Sequence, residues 1–103
     1  MTRIILAGFA FALSYSAAPA DEVGLATFYD GADHKGLVAA HQTLPLGTHV
    51  RVDNLENGRS VVVTIRDHKR YTAGRVIDLA TAAADSLGMR QKGVVRVRLQ
   101  LVP

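Results

Sequence analysis

Near its C-terminus the chain reads VVRVRLQLV, and the alternation there is strict. Val95, Val97, Leu99 and Leu101 fall on one side of an extended chain; Arg96, Arg98 and Gln100 fall on the other. A period of two is what a strand with one dry and one wet face requires. THVRVDN repeats the pattern, with Val50 and Val52 opposed to His49, Arg51 and Asp53. SVVVTI (60–65) is nearly continuous and predicts a strand buried on both faces. LATFY (25–29) adds a further set of β-formers. Asn57-Gly58 lies between strands expected at 48–54 and 59–66, and signals a hairpin because both residues tolerate positive φ. One segment departs from the pattern. TAAADSLG (81–88) is alanine-rich and predicts one short helix over about 81–87, with Thr81 or Asp78 as N-cap and Gly88 as C-cap.

Short strands leave edges, and this chain has no cysteine with which to staple them. A small exported domain often relies on disulfides. Here packing and a closed topology must serve, so five to six strands and one helix predict a small all-β barrel. Export itself is read from residues 1–20. Arg3 gives a positive start, IILAGFAFAL an apolar run too short to span a bilayer, and Ala18 and Ala20 a small-residue cleavage site. A signal peptide over 1–20, cleaved near Ala20, leaves residues 21–103 as one domain, periplasmic or secreted. Without a cysteine at the cleavage site no lipid anchor is expected. The net charge of +3 is small and spread along the chain. No nucleic-acid partner is expected; an anionic extracellular polymer suits a mildly basic exported domain better. A metal set could be assembled from Asp33, His34, His41, His49 and His68. The histidine spacings of seven, eight and nineteen fit no ligand motif, so neither metal nor cofactor is expected. Glycine-rich phosphate loops and serine-triad motifs are absent. A monomer is expected.

Three segments, taken together, carry a resemblance. AAHQTLPLGTHVRV (39–52), NLENGRSVVVTIRD (54–67) and GRVIDLATAAADSLGM (74–89) resemble, in order and spacing, the rare lipoprotein A (RlpA) family of bacterial cell-wall proteins. The resemblance runs from about residue 24 to residue 102. It implies a six-stranded double-psi β-barrel, a fold also found in expansins, barwin-like proteins, some endoglucanases and MltA-type lytic transglycosylases. It further implies endolytic lytic transglycosylation of peptidoglycan glycan strands that have lost their stem peptides. The chain departs from the family in four places. The loop before AAH is shortened to DGADHKGLVAA and lacks the family glutamate; Asp33 matches no motif position. The usual D-R-G-P-F turn is Asp67-His68-Lys69-Arg70-Tyr71. Ala80 stands where the family has a serine. No septal glycan-binding domain is expected after Pro103.

Hydrolysis of a glycosidic bond takes two carboxyl groups, whereas a lytic transglycosylase manages with one acid that gives a proton and takes one back. Asp67 is the first candidate. Its even spacing from Val61, Val63 and Ile65 predicts that it points to the same side as they do. An apolar rim would favour its protonated form, and Arg66, Lys69 and Arg70 its carboxylate. An ion-paired loop aspartate is the alternative. His41, at the family histidine, would orient substrate or assist proton transfer, or else pack under the Thr43-Leu44-Pro45 turn. Asp78, in the Ile-Asp-Leu context, is the third catalytic candidate, with helix capping as its rival role. Tyr29, Thr43 and Tyr71 are the candidate substrate-binding residues, Tyr29 by stacking on a sugar face. The missing glutamate and the altered turn keep a second reading open, a non-catalytic, expansin-like glycan-binding barrel. An inhibitor-like barrel that binds another protein is a third.

Overall fold

The structure, a computed structural model, describes residues 21–29 and 36–103. The leader expected over 1–20, with Asp33 and His34, lies outside the described residues. Six strands follow in order: β1 (Glu22–Tyr29), β2 (Val38–His41), β3 (His49–Asn54), β4 (Ser60–His68), β5 (Arg75–Ala80) and β6 (Val95–Leu101). One helix, α1 (Thr81–Ser86), lies between β5 and β6. The strands close into a barrel in the order β1-β5-β2-β4-β3-β6. Two pairs are parallel, β1 with β5 and β2 with β4, and the other four pairings are antiparallel. The strand periodicity led one to expect a small closed barrel with one short helix, and the six-stranded double-psi barrel is the form of it that the resemblance implied.

The period-two pattern builds the core. Val50, Val52, Val61, Val63, Ile65, Val95, Val97 and Leu99 turn inward, where they meet Ile77 and Leu79. Closure leaves each of these residues 9% exposed or less, and such burial is the main favourable term for a chain without cross-links. The helix packs on β5, β4 and β1 and adds Ala83 and Ala84 to the same cluster.

Three expectations are corrected. SVVVTI is not buried on both faces: Val62 is 44% exposed, so β4 alternates like its neighbours. The alternation of β6 stops short of its end, where Leu101 is 42% exposed. The expected hairpin at Asn57-Gly58 is present: β3 and β4 pair antiparallel on either side of it, Asn54 N–H donates to Arg59 O (2.8 Å) across the loop, and Gly58 takes a positive φ, 81°. The helix is capped by neither expected residue. Its N-cap is Ala80, which has no side chain to cap with; Thr81 Oγ donates to Tyr29 O (2.9 Å), and Asp78 is buried within β5.

The C-terminal end of α1 is held from outside the helix. Leu87 O accepts both Asn54 Nδ2 and Asn57 Nδ2, each at 2.9 Å, while Gly88 (φ 67°) turns the chain away. Asn54 also accepts Glu56 N–H (2.8 Å) and is 2% exposed. Its side chain therefore ties the β3–β4 hairpin to the helix in a place water does not reach. Asn54→Ala should destabilise the domain by about 1–3 kcal/mol in urea unfolding, the cost of stranding buried polar groups. Asn57→Ala, which removes the more exposed of the two bonds, should cost under about 1 kcal/mol.

Candidate active site

The site is organised around β2, a strand of four residues that are all buried because β4 and β5 flank it on both sides. Its Ala40 stands in register with Asp67 of β4 on one side and with Asp78 of β5 on the other. One interstrand step is about 4.8 Å, so the two aspartates start from backbones about 10 Å apart with only a methyl group between them. Phenolic Tyr71 Oη donates to the Ala40 carbonyl at 2.5 Å and so ties the segment after β4 to this strand.

The parallel β2–β4 ladder corrects the expected geometry of RDHKRY. Asp67 and His68 are not loop residues; pairing with Ala40 and His41 draws β4 out to His68. The register shifts between Ala39 and Ala40, where Ile65 and Asp67 are successive partners and Arg66 is the extra residue. A bulge of this kind breaks the even count. Ile65 is fully buried while Asp67 is exposed, so Asp67 does not continue the inward row of Val61, Val63 and Ile65.

Two shallow depressions adjoin here. One, of about 330 Å³, is lined by Tyr29, Ala40, Asp67, His68, Lys69 and Asp78. The other, of about 320 Å³, shares Tyr29, Lys69 and Asp78 with it and continues past Thr27, Tyr71, Arg70 and Arg75. Together they make one groove with Asp78 at its centre. Asp78 is 4% exposed, and both its oxygens are engaged: Thr27 Oγ donates to Oδ1 (2.9 Å) and Lys69 Nζ to Oδ2 (2.6 Å). The Lys69 ammonium also lies 5.7 Å from the Tyr29 ring centroid, within cation–π reach. Among the described residues the Asp67 carboxylate has no hydrogen bond or ion pair.

The two tyrosines report this environment. Burial, then the Asp78 and Asp67 carboxylates, push the Tyr29 phenol above its ordinary value. Burial and then Asp78 push the Tyr71 phenol well above the usual tyrosine range. Both side chains are therefore held as neutral phenols beside carboxylates.

Of the sequence candidates, the groove brings together Asp67, Asp78, Tyr29 and Tyr71. His41 and Thr43 do not line it. His41 is 4% exposed, and its Nδ1 accepts the Thr43 and Leu44 N–H groups (3.0 and 3.1 Å). Nε2 then carries the proton and donates to Glu22 Oε1 at 2.9 Å. The ring does hold the 43–45 turn, as the alternative reading had it. Leu44 in that turn accepts His68 Nε2 on its carbonyl (2.7 Å), so His41 reaches the groove wall through Leu44 and His68. Sequence reasoning missed Thr27, Glu22 and the partner of Lys69. Lys69 was legible as a cation near Asp67; its contact with Asp78, nine residues on, needs the fold. Among the described residues no cluster of histidines and carboxylates could hold a metal ion.

Comparisons with known proteins agree with this geometry. An endolytic peptidoglycan transglycosylase RlpA from Pseudomonas aeruginosa is 48% identical over 68 residues, 66% of this chain and 20% of that protein. A probable endolytic peptidoglycan transglycosylase RlpA from a Nostoc species is 54% identical over 68 residues, again 66% of this chain and 18% of the relative. The chain thus spans about a fifth of the length of these curated relatives. Among solved structures, the expansin of Clavibacter michiganensis superposes with a TM-score of 0.66 at 20% identity, covering 82% of this chain and 51% of the expansin. A Streptomyces papain inhibitor does so with 0.67 at 22% identity, covering 84% of this chain and 98% of the inhibitor. These two likenesses establish a shared fold. The family model described as lytic transglycolase matches residues 26–99, from within β1 to within β6 and across both groove aspartates, and the chain belongs to that family.

Proposed function

We propose that this domain is an endolytic lytic transglycosylase of the cell wall, exported to the periplasm or beyond, that cuts peptidoglycan glycan strands whose stem peptides have been removed. The observation that carries the reading is the pair of aspartates flanking Ala40 in one groove, one with free oxygens and one with both oxygens engaged. Kinship with relatives named as endolytic peptidoglycan transglycosylases supports it.

In this scheme Asp67 is the acid. It gives its proton to the bridging glycosidic oxygen, and the bond from that oxygen to muramic acid C1 breaks. Positive charge gathers on the ring, and the Asp78 carboxylate, fixed by Thr27 and Lys69, faces it without having to reorganise. Asp67, now a carboxylate, takes the proton of the 6-hydroxyl on the same sugar. O6 closes on C1 to form the 1,6-anhydro ring. One proton leaves Asp67 and one returns, and no water is consumed, so a second base is not required. Tyr29 offers a face for a sugar. His41 is a positioning residue that acts through the 43–45 turn on His68.

Amidase-treated sacculi incubated with the protein should yield 1,6-anhydro ends by mass analysis, and Asp67→Asn should lower their rate by about 10²-fold or more. Activity kept in Asp67→Asn but lost in Asp78→Asn would reverse the assigned roles. Strand binding without anhydro ends in the unmodified protein would favour the expansin-like reading of a barrel that only binds glycan.

The tyrosines set an alkaline limit on stability. The fold keeps both phenols neutral beyond about pH 10, where free tyrosine ionises. Above that pH the unfolded chain holds fewer protons than the native one, so stability, unaffected by these groups below it, falls as pH rises. Denaturant midpoints measured from pH 9 upward should decline, and Tyr71→Phe should flatten the decline.

A further inference from the structure

We propose that the second depression is a carboxylate subsite, in which Arg70 and Arg75 bind the free lactyl carboxylate that muramic acid displays once its stem peptide is gone. The inference rests on the glycan-strand reading and adds what in the strand is recognised and by which residues.

Two guanidinium groups without an ion pair, set together in one depression, lead to it. Away from the groove four cations have carboxylate partners, Arg51 with Asp53 (3.1 Å), Arg90 with Asp85 (2.9 Å), Lys92 with Glu56 (2.5 Å) and Arg98 with Asp21 (3.7 Å), while the exposed Arg59, Arg66 and Arg96 have no ion pair among the described residues and line neither depression. Lys69, inside the groove, is committed to Asp78. Arg70 and Arg75 line the second depression, are exposed, and have no ion pair among the described residues. They stand beside the aromatic side chains of Phe28, Tyr29 and Tyr71. A planar aromatic surface next to guanidinium groups suits a sugar ring that bears an acid.

The chemistry of the strand supplies the matching group. With the peptide attached, the lactyl carbonyl is an amide and carries no charge. Removal of the peptide leaves a carboxylate, ionised at neutral pH, which a guanidinium binds through two parallel hydrogen bonds. Arginine at 70 and 75 would therefore discriminate by charge between a denuded strand and a substituted one. The central ion pair does not compete for this role, because Lys69 has its anion already.

The test is a binding measurement in an Asp67→Asn background, which holds strands without cutting them. The probes are glycan strands from amidase-treated sacculi, used as they are or with the lactyl carboxylates converted to methylamides. The carboxylate strand should bind about tenfold more tightly than the amide strand, and added salt should narrow the gap. Arg70→Gln with Arg75→Gln should remove the preference by weakening only the carboxylate strand, leaving the amide strand within about twofold, which also shows that the double variant is folded. Equal binding of the two strands by the parent, an unchanged preference in the double variant, or equal loss of both strands would overturn the proposal. The lytic reading fails separately. A carboxylate preference with no anhydro ends from the chain with Asp67 intact would sink the lysis and support the subsite; equal anhydro yields from both strands would do the reverse.

Discussion

Everything in the groove depends on the burial of β2 between β4 and β5. A strand with neighbours on both edges can carry only small or apolar residues where the core is tight, and Val-Ala-Ala supplies them. Because Ala40 is small, Asp67 and Asp78 open onto a common space instead of being screened from each other. Because Ala40 also offers its carbonyl to Tyr71, the segment that follows β4 is tied back over the same strand.

The bulge at Arg66 is the second consequence of that strand pairing. A regular β4 would send Asp67 inward after Ile65, into a core that has no partner for a carboxylate, at a cost of several kcal/mol. The extra residue moves Asp67 to the exposed side of Ala40. Asp78 is treated in the opposite way. It stays buried, and its charge is tolerated because Thr27 and Lys69 satisfy both oxygens. Two residues of the same type thus acquire different chemistry from position alone.

The barrel was legible in the sequence because its signal is local: Val50 and Val52, or Val95, Val97 and Leu99, declare a buried face in a few residues, and the absence of cysteine argues for closure. The two groove aspartates and Tyr71 were legible through the resemblance, and Tyr29 through its aromatic character alone. What the sequence hid is non-local. The bulge depends on the register between β2 and β4, which lie more than twenty residues apart. Asp78 looked like a helix cap because it precedes an alanine-rich run, yet its partners Thr27 and Lys69 come from other segments. His41 bonds Glu22, nineteen residues back, and no local pattern marks that glutamate.

The rebuilt turn has a physical logic of its own. Where the resembled family shapes the turn with glycine and proline, this chain has Lys69 and Arg70, and what backbone stiffness would have fixed is fixed here by side chains. Lys69 binds Asp78, His68 binds Leu44 O, and Tyr71 binds Ala40 O. Each contact anchors the segment to a different element, so the turn is located without a constrained φ. The arrangement also decides which aspartate can serve as the acid in the proposed scheme. A proton placed on Asp78 would have to displace Lys69 or Thr27 from a buried carboxylate, and Glu22, committed to His41, does not line the groove to replace the missing family glutamate. Of the described carboxylates that line the groove, Asp67 alone can gain and lose a proton without breaking a contact, and a reaction that returns the proton it borrows asks for no second carboxyl group.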